Sequence, residues 1–532
     1  MSNAVTDEAE SWVARVARQW DERAESMARA CERRQLWMLT ACSLLYVVII
    51  GVISVRKQLE NDELFTLNMA QLPGMSDVWA ALLAGGEQLP PFFYVLTRAS
   101  LSMFGDGSLA LRLPAMLGFW VMCVCLFVFV ARRSSALHGI VAMLFVLTTG
   151  AYYYAFEARP YGIVLGLVGI ALVCWQLLAE GTPRRAVPLF TLAVSLGVAV
   201  ACHYYAVLAL IPFACGEGVR TLIRRRVDVA VWVALAASLA PLMLFLQLIS
   251  AARDYAATFW ATPGWGNIPG YFYFMLTPAA LPLSAILILA ALYFAIRPEQ
   301  TGEPVAARRS GLHLHEVAAA LGFLAIPFAA VAIAMFVTHA YVDRYAMPAT
   351  LGLGILVPFG LYRMLRGHDA LTLLLVLCLA AGFARRGGMT LQESAKYVEG
   401  RKGVIMMLQR DQTDLPIACS DPRLFILLSH YAPPDVRSRL VYLADPEQSL
   451  HYLGHNSVDR GTLDLLKPWF HLNVQPYQPY RASQRAFLLV GDPQYFLNWI
   501  TQDLASSGAE MELVGSHLET LLFRVSPKRS AL

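Results

Sequence analysis

The chain has 532 residues, of which 57% are hydrophobic and only 15% charged, well short of the roughly one quarter charged that a soluble protein carries. The apolar residues come in long uncharged blocks rather than in stripes of period 2 or 3.6, which excludes an ordinary soluble enzyme and points to membrane helices. The formal net charge of +4 says little by itself, and the nine cysteines show no metal-ligand spacing, so zinc or redox chemistry is not expected.

Residues 1–35 are polar and arginine-rich and lack a signal-peptide pattern. Trp12, Val16 and Trp20 fall at i, i+4 and i+8 among Arg15, Arg18 and Arg23. This spacing suits a basic amphipathic helix on the cytoplasmic membrane surface, or a plain solvated cytosolic helix.

About eleven spans follow, at 36–55, 112–131, 136–152, 160–179, 186–201, 203–222, 228–250, 275–296, 316–338, 346–364 and 369–384. One set of connecting loops is basic, with Arg29, Arg33 and Arg34, then Arg132 and Arg133, Arg184 and Arg185, Arg220 with Arg224 to Arg226, Arg297 with Arg308 and Arg309, and Arg363 with Arg366. The other set is longer and poor in Lys and Arg. The positive-inside rule places the N-terminus in the cytoplasm and the loop 56–111 outside. Residues 186–222 also read as one long helix, but that would carry the Arg220 cluster outside, so a pair with His203-Tyr204-Tyr205 at the turn is preferred. In the first loop, 76–84 and 92–104 are apolar but too short to span and fit interfacial helices.

Residues 385–532 have soluble composition and read as an extracytoplasmic α/β domain, because large domains cross regardless of charges such as Arg385 and Arg386. Three short apolar runs each end in an Asp-Pro pair: Asp421-Pro422, Asp445-Pro446 and Asp492-Pro493. Each offers an N-cap Asp and a first-turn Pro. Met511–Val514 and Leu521–Val525 read as closing strands.

The unusual polarity gathers on the outer side. Asp62 and Glu63 follow the first span and Lys57. Later come Glu157, Arg159 and Tyr161, then His203 and Tyr204, then Asp343, Arg344 and Tyr345. Carboxylates, guanidiniums and tyrosines at the edge of lipid suit transfer of a sugar from a lipid phosphate. A carboxylate takes the proton of the attacking hydroxyl, and Arg forks hold the departing phosphate.

The same residues carry a resemblance. Asp62-Glu63, Pro90-Pro91-Phe92-Phe93-Tyr94, the Gly-x-x-Ser-x-x-x-Arg-Leu-Pro run ending at Pro114, Glu157-Ala158-Arg159-Pro160-Tyr161 and Arg344-Tyr345-x-x-Pro348 resemble the C-type-fold membrane glycosyltransferases. The similar branch holds the protein O-mannosyltransferases and the aminoarabinose transferase of lipid A. The resemblance covers the chain to about residue 385. It implies a polyprenyl-phosphate-linked sugar donor, inverting hexosyl or pentosyl transfer outside the cytoplasmic membrane, and Asp62 as the catalytic carboxylate. The family often has His or Lys before the double proline; here it is Leu89, so a phosphate or acceptor contact supplied there is either missing or replaced by Gln88, Lys57 or Arg159.

The expected architecture is therefore a polytopic α-helical membrane protein with a cytoplasmic segment 1–35, a transferase domain 36–384 and an extracytoplasmic α/β domain 385–532. Asp62 and Glu63 are the candidate catalytic acids. Lys57, Glu157, Arg159, Tyr161, His203, Tyr204, Arg344 and Tyr345 are the candidate substrate contacts. Each has a structural alternative. Glu157 could pair with Arg159, Asp343 with Arg344, Glu63 could orient a helix end, Arg112 could anchor its span, His203 could pack among tyrosines, and the tyrosines could form a membrane belt. The expected partners are the lipid-linked sugar, an extracytoplasmic acceptor and the bilayer, with no nucleic acid. No dedicated metal site or cofactor is called for, and a loosely held divalent ion beside Asp62 and the phosphate is compatible with the chemistry. The rival class is a transporter or flippase for a lipid-linked or anionic solute, although no internal repeat is evident and the charges cluster at one face.

Overall fold

The computed structural model describes residues 12–85, 87–296, 311–483 and 485–526. The loop with Arg297, Arg308 and Arg309 and the side chains of Trp12, Arg15, Val16 and Arg18 lie outside them. The chain forms a helical part that runs to Arg410, followed by a smaller sheet-containing C-terminal part.

Every expected span coincides with helix, but not every helix is long. Among the described residues six are long and apolar enough to cross a membrane, or eight if two bent pairs each count as one span. The bent pairs are Val229–Leu244 with Leu246–Ala256, and Leu314–Leu324 with Ile326–Thr338. Pro327 stands in the first turn after the second bend, where its missing N–H and ring favour a kink. Ala136–Leu147, Ala186–Cys202 and Ala349–Met364 are shorter apolar helices, so the expected eleven spans are not all of spanning length. Extended backbone at His203 separates Ala186–Cys202 from the 3₁₀ turn Tyr204–Ala209, and 186–222 is not one helix. The short helices Met75–Leu83 and Phe92–Phe104 lie where interfacial elements were expected.

The helix Trp12–Arg33 docks on protein rather than lying free. Ala24 and Ala28 are buried, and Glu32 accepts the Ala136 N–H at 2.7 Å. Trp20, one turn before Ala24, stays about half exposed.

Two helices fix the floor of the site that holds Asp62. Ser108–Ala131 and Tyr161–Ala179 meet backbone to backbone. A Cβ on Gly166 would stand 2.3 Å from the Gly118 carbonyl, and one on Gly118 would stand 2.5 Å from that of Gly162. Small residues allow this approach, and it holds Arg112 beside the turn 157–161. At the opposite end, Arg133 donates to the fully buried Glu316 at 2.7 and 2.8 Å, and Gln176 joins at 3.1 Å.

The last expected span, 369–384, belongs to a helix that runs unbroken from Asp369 to Arg410. Arg386 does not end it. That side chain is buried, with its guanidinium 4.5 Å over Tyr152 and 5.1 Å over Tyr153. Beyond lies a six-stranded sheet of β1 (Ile417–Cys419), β2 (Leu440–Ala444), β3 (Val474–Pro476), β4 (Phe487–Gly491), β5 (Glu510–His517) and β6 (Thr520–Ser526), in the order β3-β2-β1-β4-β6-β5. β1 to β4 are parallel, and β6 pairs antiparallel with β4 and β5. Two of the three Asp-Pro devices cap helices: Asp421 accepts from Leu424 N at 2.8 Å, and Asp445 from Glu447 N and Gln448 N at 3.1 Å. The third differs. Asp492 accepts from Gln494 N at 2.8 Å in a turn, and the next helix begins only at Ile500.

Candidate active site

The first loop opens with the helix Asn61–Gln71, which carries Asp62 and Glu63 in its first turn. The two neighbouring acids have opposite surroundings, and the arginines on them differ in how many donors remain free.

Glu63 is fully buried, as is Arg112. Arg112 donates Nε to Glu63 Oε1 and Nη2 to Oε2, both at 2.6 Å. Its remaining donors reach the carbonyls of Ser54 at 2.8 Å, Lys57 at 2.7 Å and Gln58 at 3.1 Å. All five N–H groups of this guanidinium are spent. Glu63 also accepts the Glu60 N–H at 3.1 Å and the Ala158 N–H at 3.0 Å. Burial pushes its carboxyl up, but Arg112 and Lys57 pull it further down, to below the ordinary value. The expectation of Glu63 as a second reactive acid therefore meets a carboxylate with no free lone pair facing a cavity. Its bonds tie the start of the Asp62 helix to the span 108–131 and the turn at Ala158. Arg112 lies inside that span rather than at its cap. Lys57 sits on the same side, 2.5 Å from Glu60 and 3.8 Å from Glu63, so it does not take the place of the family's basic residue.

Asp62 keeps part of its carboxylate open. Its Oδ2 accepts from Arg344 Nη1 at 2.6 Å, and its side chain remains about one third exposed. Burial raises its proton affinity, and Arg344 and Arg159 lower it by more, so the carboxyl lies below its ordinary value. Asp343 is not the partner of Arg344. The Arg344 guanidinium lies 5.8 Å from the Tyr161 ring centroid, and its Nε is buried without a hydrogen bond.

Arg159 is more loosely held. It reaches the Asp62 carbonyl, Thr66 Oγ1 and both oxygens of Glu87, each at 3.4 Å, and its Nε has no partner. These contacts are at the far limit of useful hydrogen bonding. Glu87, not Glu157, is its ion pair. Tyr94, two residues beyond Phe92 of the Pro-Pro-Phe-Phe-Tyr run, has a buried hydroxyl without a partner in the same region, where it feels Glu87, Arg159 and Asp62.

Glu157 makes no hydrogen bond or ion pair through its carboxylate among the described residues. Burial pushes it up to about 7, against the pull of Arg344 and with repulsion from Asp62 and Glu63. His203 lies between Tyr161 at 5.2 Å and Tyr345 at 5.3 Å, and Tyr345 stacks on Tyr205 at 4.6 Å. Burial, reinforced by Arg159 and Arg344, lowers His203 to about 3, so the ring is neutral at physiological pH. The Tyr204 hydroxyl is buried and unpaired.

The structure thus brings Asp62, Glu157, Arg159, Tyr161, His203, Arg344 and Tyr345 together, whereas Glu63 is tied to Arg112 and the Ala158 N–H, and Lys57 to Glu60. Glu87, Thr66 and Tyr94 join them. Sequence reasoning did not select these three as contacts, although Glu87 and Tyr94 flank the double proline. No group of three or more His, Cys, Asp or Glu residues among the described ones is placed to hold a metal ion.

No family model matches the sequence, and no curated protein matches it. Solved structures do. ArnT from Cupriavidus metallidurans in the apo state is similar at 13% identity over 92% of this chain and 97% of that one, with a TM-score of 0.55. The same protein bound to undecaprenyl phosphate is similar at 13% identity over 91% and 98%, with a TM-score of 0.53. Such a likeness speaks to architecture: the chain has the fold of the C-type membrane glycosyltransferases.

Proposed function

We propose that the protein is an integral membrane glycosyltransferase that moves a sugar from a polyprenyl-phosphate donor to an extracytoplasmic acceptor. The observation that carries this reading is the gathering of one half-open carboxylate, Asp62, with two guanidiniums whose Nε groups are buried and unpaired. Unpaired buried donors are costly, and an anion entering between Arg159 and Arg344 would satisfy them with charge-assisted bonds. The lipid phosphate is such an anion.

In this reading the acceptor hydroxyl attacks the anomeric carbon from the face opposite the phosphate. The carbon–oxygen bond to the phosphate breaks, Asp62 takes the hydroxyl proton, and the stereochemistry inverts. Charge building on the departing phosphate is compensated by Arg159 and Arg344 in a site with little water. As Arg344 turns toward phosphate, its hold on Asp62 weakens and Asp62 becomes a better base. Glu157, with its raised proton affinity, carries a proton beside the phosphate and donates a hydrogen bond to it. Tyr161, Tyr345 and neutral His203 line the sugar pocket, with Tyr204 behind them. No step is routed through a metal ion. Asp62 and Glu157 are the carboxylates that a loosely held divalent cation would meet.

The protein would sit in the inner membrane with many passes, its N-terminus cytoplasmic, and segments 1–35, 36–384 and 385–532 on the cytoplasmic, membrane and outer sides. Mass spectrometry of co-purifying lipids tests the donor class. A polyprenyl monophosphate sugar is the expected finding, and ordinary phospholipids alone would favour a transporter or flippase.

A further inference from the structure

β1 and β4 are parallel neighbours, but the sheet grows from them in opposite directions: β2 and β3 lie beyond β1, and β6 and β5 beyond β4. Their carboxyl ends therefore part at a topological switch point, where open α/β sheets leave a crevice for ligands. Two turns line it, Ser420-Asp421-Pro422 after β1 and Gly491-Asp492-Pro493 after β4.

Ser420 is 1% exposed, and its Oγ has no hydrogen-bond partner. That oxygen points across the strand ends, 1.6 Å from where a Cβ on residue 491 would stand, so only Gly491 leaves room for it. Asp421 is spent on capping its helix. Asp492 is partly exposed, and only one of its carboxylate oxygens is tied, to Gln494 N. Aromatic groups form the wall. Arg423 lies 4.3 Å over the Tyr495 ring, and Phe496 is 53% exposed beside the membrane half's Trp260, at 5.8 Å.

The membrane part of the chain meets this end of the sheet at Trp260, and the helix Pro422–Tyr431 packs on the helix Asn61–Gln71. The helix Pro422–Tyr431, which starts in the crevice, ends with the Tyr431 hydroxyl accepting the Leu59 N–H at 2.7 Å. Phe470 meets Phe65 at 5.8 Å. Burial raises the Tyr495 phenol, Arg423 lowers it, and the charges of Asp421 and Asp62 raise it again, which places Tyr495 within electrostatic reach of Asp62.

We propose that the crevice between the carboxyl ends of β1 and β4 is an acceptor subsite that holds a saccharide, with Tyr495 and Phe496 stacking on the ring and Asp492 and Ser420 taking its hydroxyls, so that an adjoining hydroxyl reaches Asp62. Aromatic faces with a few convergent polar groups are the ordinary make-up of such a site. The saccharide is the free glycan or the headgroup of a glycolipid. The inference rests on the transferase reading and adds to it where the acceptor sits.

Saturation-transfer NMR on the full-length protein in detergent, with chitotriose and maltotriose as probes, tests it. The parent should transfer saturation to at least one trisaccharide. Phe496→Ala and Asp492→Asn should each reduce that signal about fivefold or more, and Arg485→Ala at the opposite end of β4 should leave it unchanged. Tyr495→Phe should retain it. No signal from the parent, or equal signals from the parent, Phe496→Ala and Asp492→Asn, would overturn the proposal. Donor-lipid binding is measured separately by native mass spectrometry. Its absence would strike the transferase reading, whereas its presence without saccharide binding would strike the subsite alone.

Discussion

Arg344 donates to Asp62 at 2.6 Å across 282 residues of sequence, and its Nε stays buried and unpaired. One guanidinium therefore faces both the candidate base and the space where we place the phosphate. Arg344→Ala should lower donor turnover by about 10²- to 10³-fold, the usual cost of removing a preorganised charge-stabilising donor. Arg344→Lys should recover only part of it, because an ammonium lacks the planar fork. Release of free polyprenyl phosphate from the donor is the readout, and equal turnover in Arg344→Ala would remove Arg344 from the reaction.

Glu63 and Arg112 should behave differently. Both are fully buried and share two hydrogen bonds, and removing one partner of such a pair costs about 3–5 kcal/mol. Glu63→Gln should lower the thermal unfolding midpoint in detergent, and whatever protein remains folded should still bind donor. A variant with an unchanged midpoint and no turnover would instead put Glu63 in the chemistry.

Glu157 supplies a pH signature. Its carboxyl is raised to about 7, and the proposal needs it protonated. Turnover should therefore be full below about pH 6 and fall as pH rises through 7. Glu157→Gln should keep most activity and flatten that limb. If turnover instead rises through pH 7 and Glu157→Gln abolishes it, Glu157 is acting as the base.

The C-terminal part carries an independent pH effect. Asp459 is buried and raised to about 7 by that burial, although Tyr442 donates to it at 2.5 Å and Trp499 at 2.6 Å. A folded-state value above the unfolded one means that the folded chain holds the proton more tightly. The stabilisation is whole below the unfolded value near 4 and is lost as pH rises through 7. The unfolding midpoint should fall by several degrees between pH 5 and 8, and Asp459→Asn should lessen that dependence. A parent midpoint independent of pH would show that Asp459 keeps its ordinary value.

Much of this was legible because charge is scarce in the membrane half. Asp62, Arg159 and Arg344 stand out against uncharged neighbours, and local turn chemistry announced Asp421 and Asp445 as caps. Pairing was not legible, since partners are set by helix packing. Adjacent in sequence, Asp62 and Glu63 look alike, and only the approach of the span holding Arg112 separates them. Glu157 and Arg159 are too close along the chain to suggest that Arg159 turns to Glu87. β3 went unread because Val474-Gln475-Pro476 offers a single buried apolar residue. The helix 369–410 was cut short because Arg385 and Arg386 read as a boundary, whereas Arg386 is sheltered by tyrosine faces.

The most direct measurement is single-turnover sugar release from donor lipid by Asp62→Asn, with bound donor quantified by native mass spectrometry in the same sample. The account predicts donor bound at the parent's level and transfer reduced by about 10³-fold or more, since Asn keeps the shape but cannot accept the proton. Transfer at the parent's rate would contradict it.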